Sequence, residues 1–356
     1  MDQLKRCRET TMKTYKAGII GLGFIGVGDQ VSGDAIGQRV EDLGGTHMEA
    51  LSGNPQVTLV AGSSRDQGRR DRFEQRTGLR SYADWRDLIE KEDLDIVSIA
   101  ANANLRKDPT VVCAKTGVSA IYCEKPAAQS VPDAEEMLLE CRNSGTLILF
   151  NHQRRFSSSG RRLREHLKHD RLGDLTSVNA QWNSGRLGGV GTHVFDTIRM
   201  ITGRPIQAVS GTLDLAGKPD CRGPDYSDYG AWGIVRLEGG LMVTVDAADY
   251  SQTPWDLRIN GTEGRAFVGG NEVVIEYWDG RTERWINDIQ QGSGMDVAVR
   301  EIVDWLDNGK VPEYDPAEAV NVVEGIVAFH ASNNKNSMWV ELPLVGTDRA
   351  IKVNCA

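Results

Sequence analysis

Short apolar runs alternate with stretches whose apolar residues recur every three or four positions, and this pattern fills the first 150 residues. The runs Lys16–Ile20, Val57–Gly62, Asp95–Ala100, Ala120–Cys123 and Leu147–Phe150 predict buried strands. Between them, Asp84 is placed to cap a helix carrying Trp85, Leu88 and Ile89. Further helices are predicted through Val111, Val112 and Ala114, and over Glu136–Cys141. Strands and helices alternating at these lengths imply right-handed crossovers and a parallel sheet. From Leu175 the period drops to two. Strands are predicted at Thr176–Trp182, Ile206–Leu213, Ala231–Leu237, Leu241–Ala247, Asp256–Asn260, Gly264–Val268 and Val273–Tyr277, several separated by glycine turns. A helical pattern over Thr192–Ile201 interrupts them, with His193 and Asp196 three apart on one face. Two more helices, through Val297–Leu306 and Pro316–Ser332, precede a last strand at Trp339–Leu342, and the tail after Pro343 reads as poorly constrained. The expected fold is α/β: a parallel sheet over residues 14–150, then an α+β domain over 151–345 built on a mostly antiparallel sheet.

Composition narrows the role. The chain has 356 residues, 40% hydrophobic and 26% charged, with a formal charge of −9, which gives no support to a nucleic-acid or membrane-surface partner. Neither a secretory signal nor a membrane span is indicated, and a cytoplasmic location is expected. Cys7, Cys113, Cys123, Cys141, Cys221 and Cys355 show no metal-ligand spacing and suit a reducing compartment; no metal is expected. The densest basic stretch, Arg154, Arg155, Arg161, Arg162 and Arg164, is either a solvated helix face or the neighbourhood of an anion site.

The chemistry begins at the first strand's end, where Gly21-Leu22-Gly23-Phe24-Ile25-Gly26 follows at once. In this setting Gly21 permits the tight turn, Gly23 lets a diphosphate approach the backbone, and Gly26 lets the helix pack on the strand. A polar insertion then occupies 27–46. The second strand ends in Ser63-Ser64-Arg65, with Arg69 a helical turn later, rather than in the acidic residue that holds the ribose diol of NAD. Hydroxyls and guanidinia grip a 2′-phosphate, so NADP(H) is favoured, with NAD(H) the alternative. Ala101, Asn102 and Asn104 end the next long strand and can approach the cofactor. Glu124-Lys125-Pro126 stands at another strand's carboxyl end, where open α/β sheets hold ligands. In the second half, Trp182, Asn183 and Arg186, with Tyr226 and Tyr229 in a polar segment, are suited to line either a sugar cleft or a subunit interface.

In this order and spacing the chain resembles the glucose–fructose oxidoreductase / inositol dehydrogenase / rhizopine catabolism (Gfo/Idh/MocA) family. The resemblance rests on the glycines at 21–26, GluLysPro at 124–126, Arg155-Phe156, GVGTHVFD at 189–196, Thr202-Gly203-Arg204-Pro205 and Val340-Glu341-Leu342-Pro343. It implies a Rossmann domain, a second domain with a large open sheet, substrate bound between them, and association through the outer sheet face as a homodimer or homotetramer. It also implies that Lys125 contacts the reacting hydroxyl and nicotinamide, and that His193 transfers the proton. Gly21, Gly23, Phe24, Ile25, Gly26, Ala101, Asn102, Asn104 and Glu124 are then cofactor neighbours. Asn151, Arg155, Trp182, Asn183, Arg186 and Tyr229 join Lys125 and His193 as substrate-contact candidates. Two departures stand out: Gly189 occupies the place of the family's aspartate four residues before the histidine, and Lys107 stands where relatives often have histidine.

The expected activity is hydride transfer between a nicotinamide cofactor and a secondary alcohol or ketone of a sugar, inositol or related small polyhydroxylated substrate. Redox-neutral lyase or glycosidase chemistry on a tightly held nucleotide is one alternative, made more credible by Gly189. A non-catalytic nucleotide-binding regulator is another.

Overall fold

The computed structural model describes residues 13–355 apart from 32–38, 40, 42–44, 184, 217–219, 221 and 249–254. Cys7, Cys221 and much of the 27–46 insertion therefore lie outside the described residues. Six strands form the first sheet: β1 (Tyr15–Ile20), β2 (Val57–Ser63), β3 (Arg80–Tyr82), β4 (Ile96–Ile99), β5 (Ala120–Cys123) and β6 (Leu147–Phe150). All pair in parallel, in the order β3-β2-β1-β4-β5-β6. Chain order reverses between β1 and β4, which opens a crevice at their carboxyl ends where a dinucleotide binds in such sheets. Buried on both faces, β4 and β5 show no alternation of buried and exposed positions.

Helices α1 (Phe24–Val27), α2 (His47–Ser52), α3 (Gln67–Thr77), α4 (Trp85–Lys91), α5 (Lys107–Thr116) and α6 (Val131–Ser144) make the crossovers. Their ends obey local chemistry: Asp84 accepts from the Arg86 N–H at the start of α4, and Gly117 and Gly145 take left-handed conformations after α5 and α6.

After α7 (Ser158–Lys168) comes a sheet of β7 (Leu175–Gln181), β8 (Ile206–Leu213), β9 (Ala231–Leu237), β10 (Met242–Ala247), β11 (Asp256–Gly261), β12 (Gly264–Val268), β13 (Glu272–Tyr277), β14 (Thr282–Ile286) and β15 (Val340–Glu341). Its order is β14-β13-β12-β11-β7-β10-β9-β8-β15, antiparallel except for β7 beside β10. Helix α10 (Ala317–Asn334) packs on β8 and α7 on β13 and β14, with α8 (Thr192–Thr202) between α7 and α10, and buried positions alternate with exposed ones along β10 and with half-buried ones along β13. Helix α9 (Gly294–Asn308) packs back toward the first sheet, touching α2 and β5. The terminal segment corrects the expectation of a loose tail: after α11 (Gly346–Arg349), Val353 donates its N–H to the Gln129 carbonyl at 2.8 Å, and Val353 and Cys355 are buried. The described cysteines, 113, 123, 141 and 355, are free and buried. Among the described residues no helix is long and apolar enough to cross a membrane, and no cluster of three potential ligands could hold a metal.

Candidate active site

The crevice is floored by bare main chain. Gly21 turns the chain at φ 106°, a conformation glycine adopts readily, and a Cβ there would stand 2.6 Å from the Ala100 carbonyl oxygen. At Gly26 a Cβ would meet the Gly21 carbonyl oxygen at 2.1 Å, so the start of α1 lies against the strand only because both positions lack a side chain. Gly23 is the N-cap of α1, Phe24 is buried and Ile25 half-buried. This close approach fits a diphosphate and leaves no room for side chains in its place. Around the crevice, Ala101 is half-buried and Asn102 and Asn104 are exposed; Asn102 donates to the Tyr226 hydroxyl at 2.6 Å.

The end of β2 differs from the sequence expectation. Ser63 is buried and its carbonyl accepts from the Gly21 N–H at 2.9 Å. Ser64 is half-buried, and Arg65 is exposed with its carbonyl accepting from Arg70. Arg69 faces the buried carboxylate of Asp29 at 3.9 Å, and Arg72 pairs with the same carboxylate at 2.8 Å. An acidic group thus stands beside the arginines, contributed by the segment just after α1 rather than by β2.

Behind the fifth strand lies a fully enclosed polar chain. Ser98 Oγ meets His47 Nδ1 at 2.6 Å, His47 Nε2 meets Glu124 Oε1 at 3.0 Å, and Asn151 Nδ2 donates to the same Glu124 oxygen at 2.5 Å. The Tyr122 hydroxyl donates to Asn151 Oδ1 at 2.7 Å. Burial opposes ionisation of Glu124, but the His47 hydrogen bond and the charges of His47 and Lys125 outweigh it and hold the carboxyl down to about 2. Glu124 and Asn151 are therefore committed to one another and to fixing the strand end, rather than presented to a ligand.

That strand end delivers Lys125. Its Nζ donates to the Gly189 carbonyl at 2.9 Å, and burial, with Arg186 and Arg106 adding to it against the pull of Glu124, lowers the ammonium to about 8. Gly189 lies in a π-helical turn, Leu187–Gly191, that feeds directly into α8. Asp228 clamps this turn: its two carboxylate oxygens accept the Gly188 and Gly189 N–H groups, each at 2.7 Å, while Arg186 Nε stands 3.9 Å away. A Cβ at Gly189 would lie 2.6 Å from Arg186 Nη2 and 3.1 Å from Asp228 Oδ2. The place where a side-chain carboxylate at 189 would project is thus occupied by Arg186 and Asp228. Burial raises Asp228 to about 6.

His193, half-buried in the first turn of α8, has its Nδ1 enclosed and without a partner. Burial, then the neighbouring charges of Lys125 and Arg154, hold it well below the usual imidazole range, so it is a neutral acceptor at neutral pH. His152 packs edge-on to it with ring centroids 6.0 Å apart, and Thr192 contacts His152 Nε2 at 3.0 Å. Asp196 does not serve His193. Its carboxylate receives Arg155 Nε at 2.7 Å and lies 3.4 Å from His152 Nδ1.

Several sequence candidates are placed elsewhere. Arg155 is buried between Asp196 and Glu318 and stacks over Tyr314, so its guanidinium is committed to the protein. Trp182 is fully buried with its indole N–H on the Gly185 carbonyl at 2.6 Å, a core residue rather than a sugar platform. Arg186 faces Asp228. Asn183 is exposed, and Tyr229 is half-buried with its carbonyl accepting from Leu187 at 2.9 Å. Lys107 pairs with Asp133 and Glu136 on α6 at 3.4 Å each. The sequence reading missed His152, Asp228 and the buried Arg106. Only His152 carried a local signal, since it follows a strand's carboxyl end.

Residues 15–152 match the family described as "Oxidoreductase family, NAD-binding Rossmann fold", and residues 179–267 match the "GFO/IDH/MocA C-terminal domain". Among curated proteins the chain is similar to myo-inositol 2-dehydrogenase of Thermotoga maritima, 23% identical over 286 residues covering 76% of this chain and 80% of the relative. It is also similar to levoglucosan dehydrogenase of Pseudarthrobacter phenanthrenivorans, 24% identical over 298 residues covering 71% and 73%. Its fold resembles levoglucosan dehydrogenase in complex with NADH and levoglucosan, with TM-score 0.78, 18% identity and coverage of 93% and 100%. A likeness of the same kind holds to an inositol dehydrogenase homologue from Azotobacter vinelandii with NADH and myo-inositol, with TM-score 0.75, 17% identity and coverage of 92% and 98%. The expectation of NADP(H) is overturned. The matched family is described as NAD-binding, and neighbours solved with a nicotinamide nucleotide carry NAD or NADH. Asp29 beside Arg69 and Arg72 gives the physical reason: those guanidinia already face a carboxylate.

Proposed function

The chain belongs to the Gfo/Idh/MocA family of NAD-binding oxidoreductases, and on that premise we propose that it oxidises a secondary alcohol of a sugar, inositol or related polyol at Lys125 and His193. The observation that carries this reading is a half-buried ammonium, held at its Nζ by the Gly189 carbonyl, whose charge acts on a half-buried and neutral imidazole. Relatives named as inositol and levoglucosan dehydrogenases support the substrate class.

When bound, the nicotinamide ring accepts the two electrons and hydrogen that leave the substrate carbon. The glycine turn at 21–26 would hold its diphosphate, and Lys125 at the carboxyl end of β5 would face the nicotinamide end. Lys125, still largely protonated at neutral pH, holds the substrate oxygen and stabilises the negative charge that grows on it. His193 takes the hydroxyl proton at its imidazole, which burial and the charges of Lys125 and Arg154 keep neutral. Among the described residues no carboxylate is bonded to that ring, and packing against His152 and the seat in the first turn of α8 orient it.

The test is NAD+ reduction followed at 340 nm against inositols, aldoses and anhydrosugars. Turnover is expected, and His193→Asn should lower kcat by roughly 10²- to 10⁴-fold with NADH binding changed only a few-fold. Unchanged turnover in that variant removes His193 from the mechanism. Assembly is part of the same proposal: a second copy is expected on the outer face of the nine-stranded sheet, where Trp232, Ile234 and Met242 are exposed. Sedimentation giving a monomer at micromolar concentration contradicts that.

A further inference from the structure

The basic stretch after β6 divides sharply once its partners are known. Arg155 pairs with Asp196 and Glu318, Arg161 with Glu301 at 2.6 Å, and Arg164 with Glu313 at 3.1 Å. Arg154, in their midst, makes no ion pair and no side-chain hydrogen bond among the described residues. Its Nη1 is enclosed without a partner, and its guanidinium lies 4.8 Å over the ring of Trp255, whose own Nε1 is equally enclosed and unpartnered. An unpaired guanidinium even partly withdrawn from water is costly, and proteins ordinarily compensate it with a carboxylate or a bound anion.

Both residues line a cavity of about 450 Å³, together with Ser157, Thr197, Asn271 and Gly294. Two helices begin at its wall: α7, eleven residues long and capped by Ser157, and α9, fifteen residues long and capped by Ser293. Their positive ends add to the field of Arg154. Asp288, the one carboxylate among the described lining residues, accepts from the Gln290 N–H of its own loop at 3.0 Å. Thr197 also places the cavity relative to the reacting groups. It lies one turn beyond His193 on the same face of α8 and donates to the His193 carbonyl at 2.7 Å. Four residues rise about 6 Å along a helix, the length scale of a six-carbon polyol.

We propose that this cavity receives an anionic substituent of the substrate, a carboxylate or phosphate carried by the polyol whose carbinol meets Lys125 and His193, with Arg154 as its counter-ion. The proposal rests on the oxidoreductase reading and narrows its substrate class to acidic sugars. Burial lowers the Arg154 guanidinium below its usual range despite the opposing charge of Asp196, and Arg154 in turn helps to hold His193 neutral.

Initial rates with NAD+ on matched substrates test it: an aldose, the corresponding uronate and the corresponding 6-phosphate. With the wild type, kcat/KM for at least one acidic member should exceed that for the neutral parent by about tenfold or more, the usual worth of a charge-assisted hydrogen bond. The uronate and phosphate arms distinguish the two anions. Arg154→Gln should collapse the acidic-to-neutral ratio by a similar factor, and Arg154→Lys should restore part of it. Equal or better use of the neutral parent by the wild type, or an unaltered ratio in Arg154→Gln, overturns the proposal. If no polyol, neutral or acidic, reduces NAD+, the oxidoreductase reading fails instead. Calorimetric titration of the wild type and Arg154→Gln with inorganic phosphate then still decides the cavity: binding lost in the variant supports the anion site, and absent or unchanged binding refutes it.

Discussion

Replacing Asp228 by Asn removes negative charge from the clamp on the π-helical turn while leaving its shape nearly intact. One of the two peptide N–H groups, at Gly188 or Gly189, then faces an amide NH2 instead of a carboxylate oxygen. Leaving a buried donor unsatisfied costs about 1–3 kcal/mol. Against this, burial has raised Asp228 from 3.8 to about 6, so its ionised form costs about 3 kcal/mol at neutral pH, a cost the neutral amide avoids. The sign follows from linkage: a raised carboxylate destabilises above about 6, and the cost fades as pH falls toward 3.8. The two contributions nearly cancel, and the melting temperature at pH 7 should move by less than about 4 °C. Catalysis should not be spared, because the Gly189 carbonyl is the acceptor for Lys125 Nζ. Misplacement of such a group by an ångström can cost about 10²-fold, so kcat should fall about ten- to hundredfold. Weakening an acceptor for the ammonium also lowers the lysine further, so the alkaline limb of the pH–rate profile should move below about 8. Differential scanning calorimetry and a kcat–pH profile on the same preparations decide it. A large loss of melting temperature with kcat and its pH profile intact would show Asp228 to be structural only and would refute the link to Lys125.

Gly26→Ala should abolish NADH binding in a fluorescence titration, because the added methyl stands 2.1 Å from the Gly21 carbonyl oxygen and forces the turn open; retained micromolar affinity would contradict the close approach of α1 to the strand. Glu124, held at about 2 in the fold against 4.5 unfolded, contributes about 3 kcal/mol that is present above 4.5 and is lost as pH falls toward 2. Urea midpoints should therefore drop across that window, and Glu124→Gln, less stable at pH 7, should show a shallower drop.

Much of the fold was legible because two periods carry it. The apolar runs of the parallel sheet and the alternation of β10 and β13 are dictated by burial on two faces or one. Strand β3 escaped: three residues long, with Arg80 exposed and Ser81 half-buried, it offers no run to detect. Lys125 and His193 were singled out from strand-end position and the glycine-rich approach to α8. Trp182 and Arg155 were misplaced because an indole and a guanidinium serve a core as readily as a ligand, and only the partners Gly185, Asp196 and Glu318 decide between the uses. Asp228 was invisible for a different reason. It lies forty residues beyond the Gly188 N–H it caps, in an Asp-, Gly- and Pro-bearing segment whose path no local pattern sets.

Transfer of deuterium from the carbinol carbon of a labelled polyol to NAD+, read as the mass of the NADH formed, tests the central claim most directly. One deuteron per NADH is expected from the wild type, and little labelled product from Lys125→Met, although that variant still binds NADH. Nucleotide binding without label transfer from any sugar, inositol or sugar acid, or equal transfer in the Lys125 variant, would contradict it.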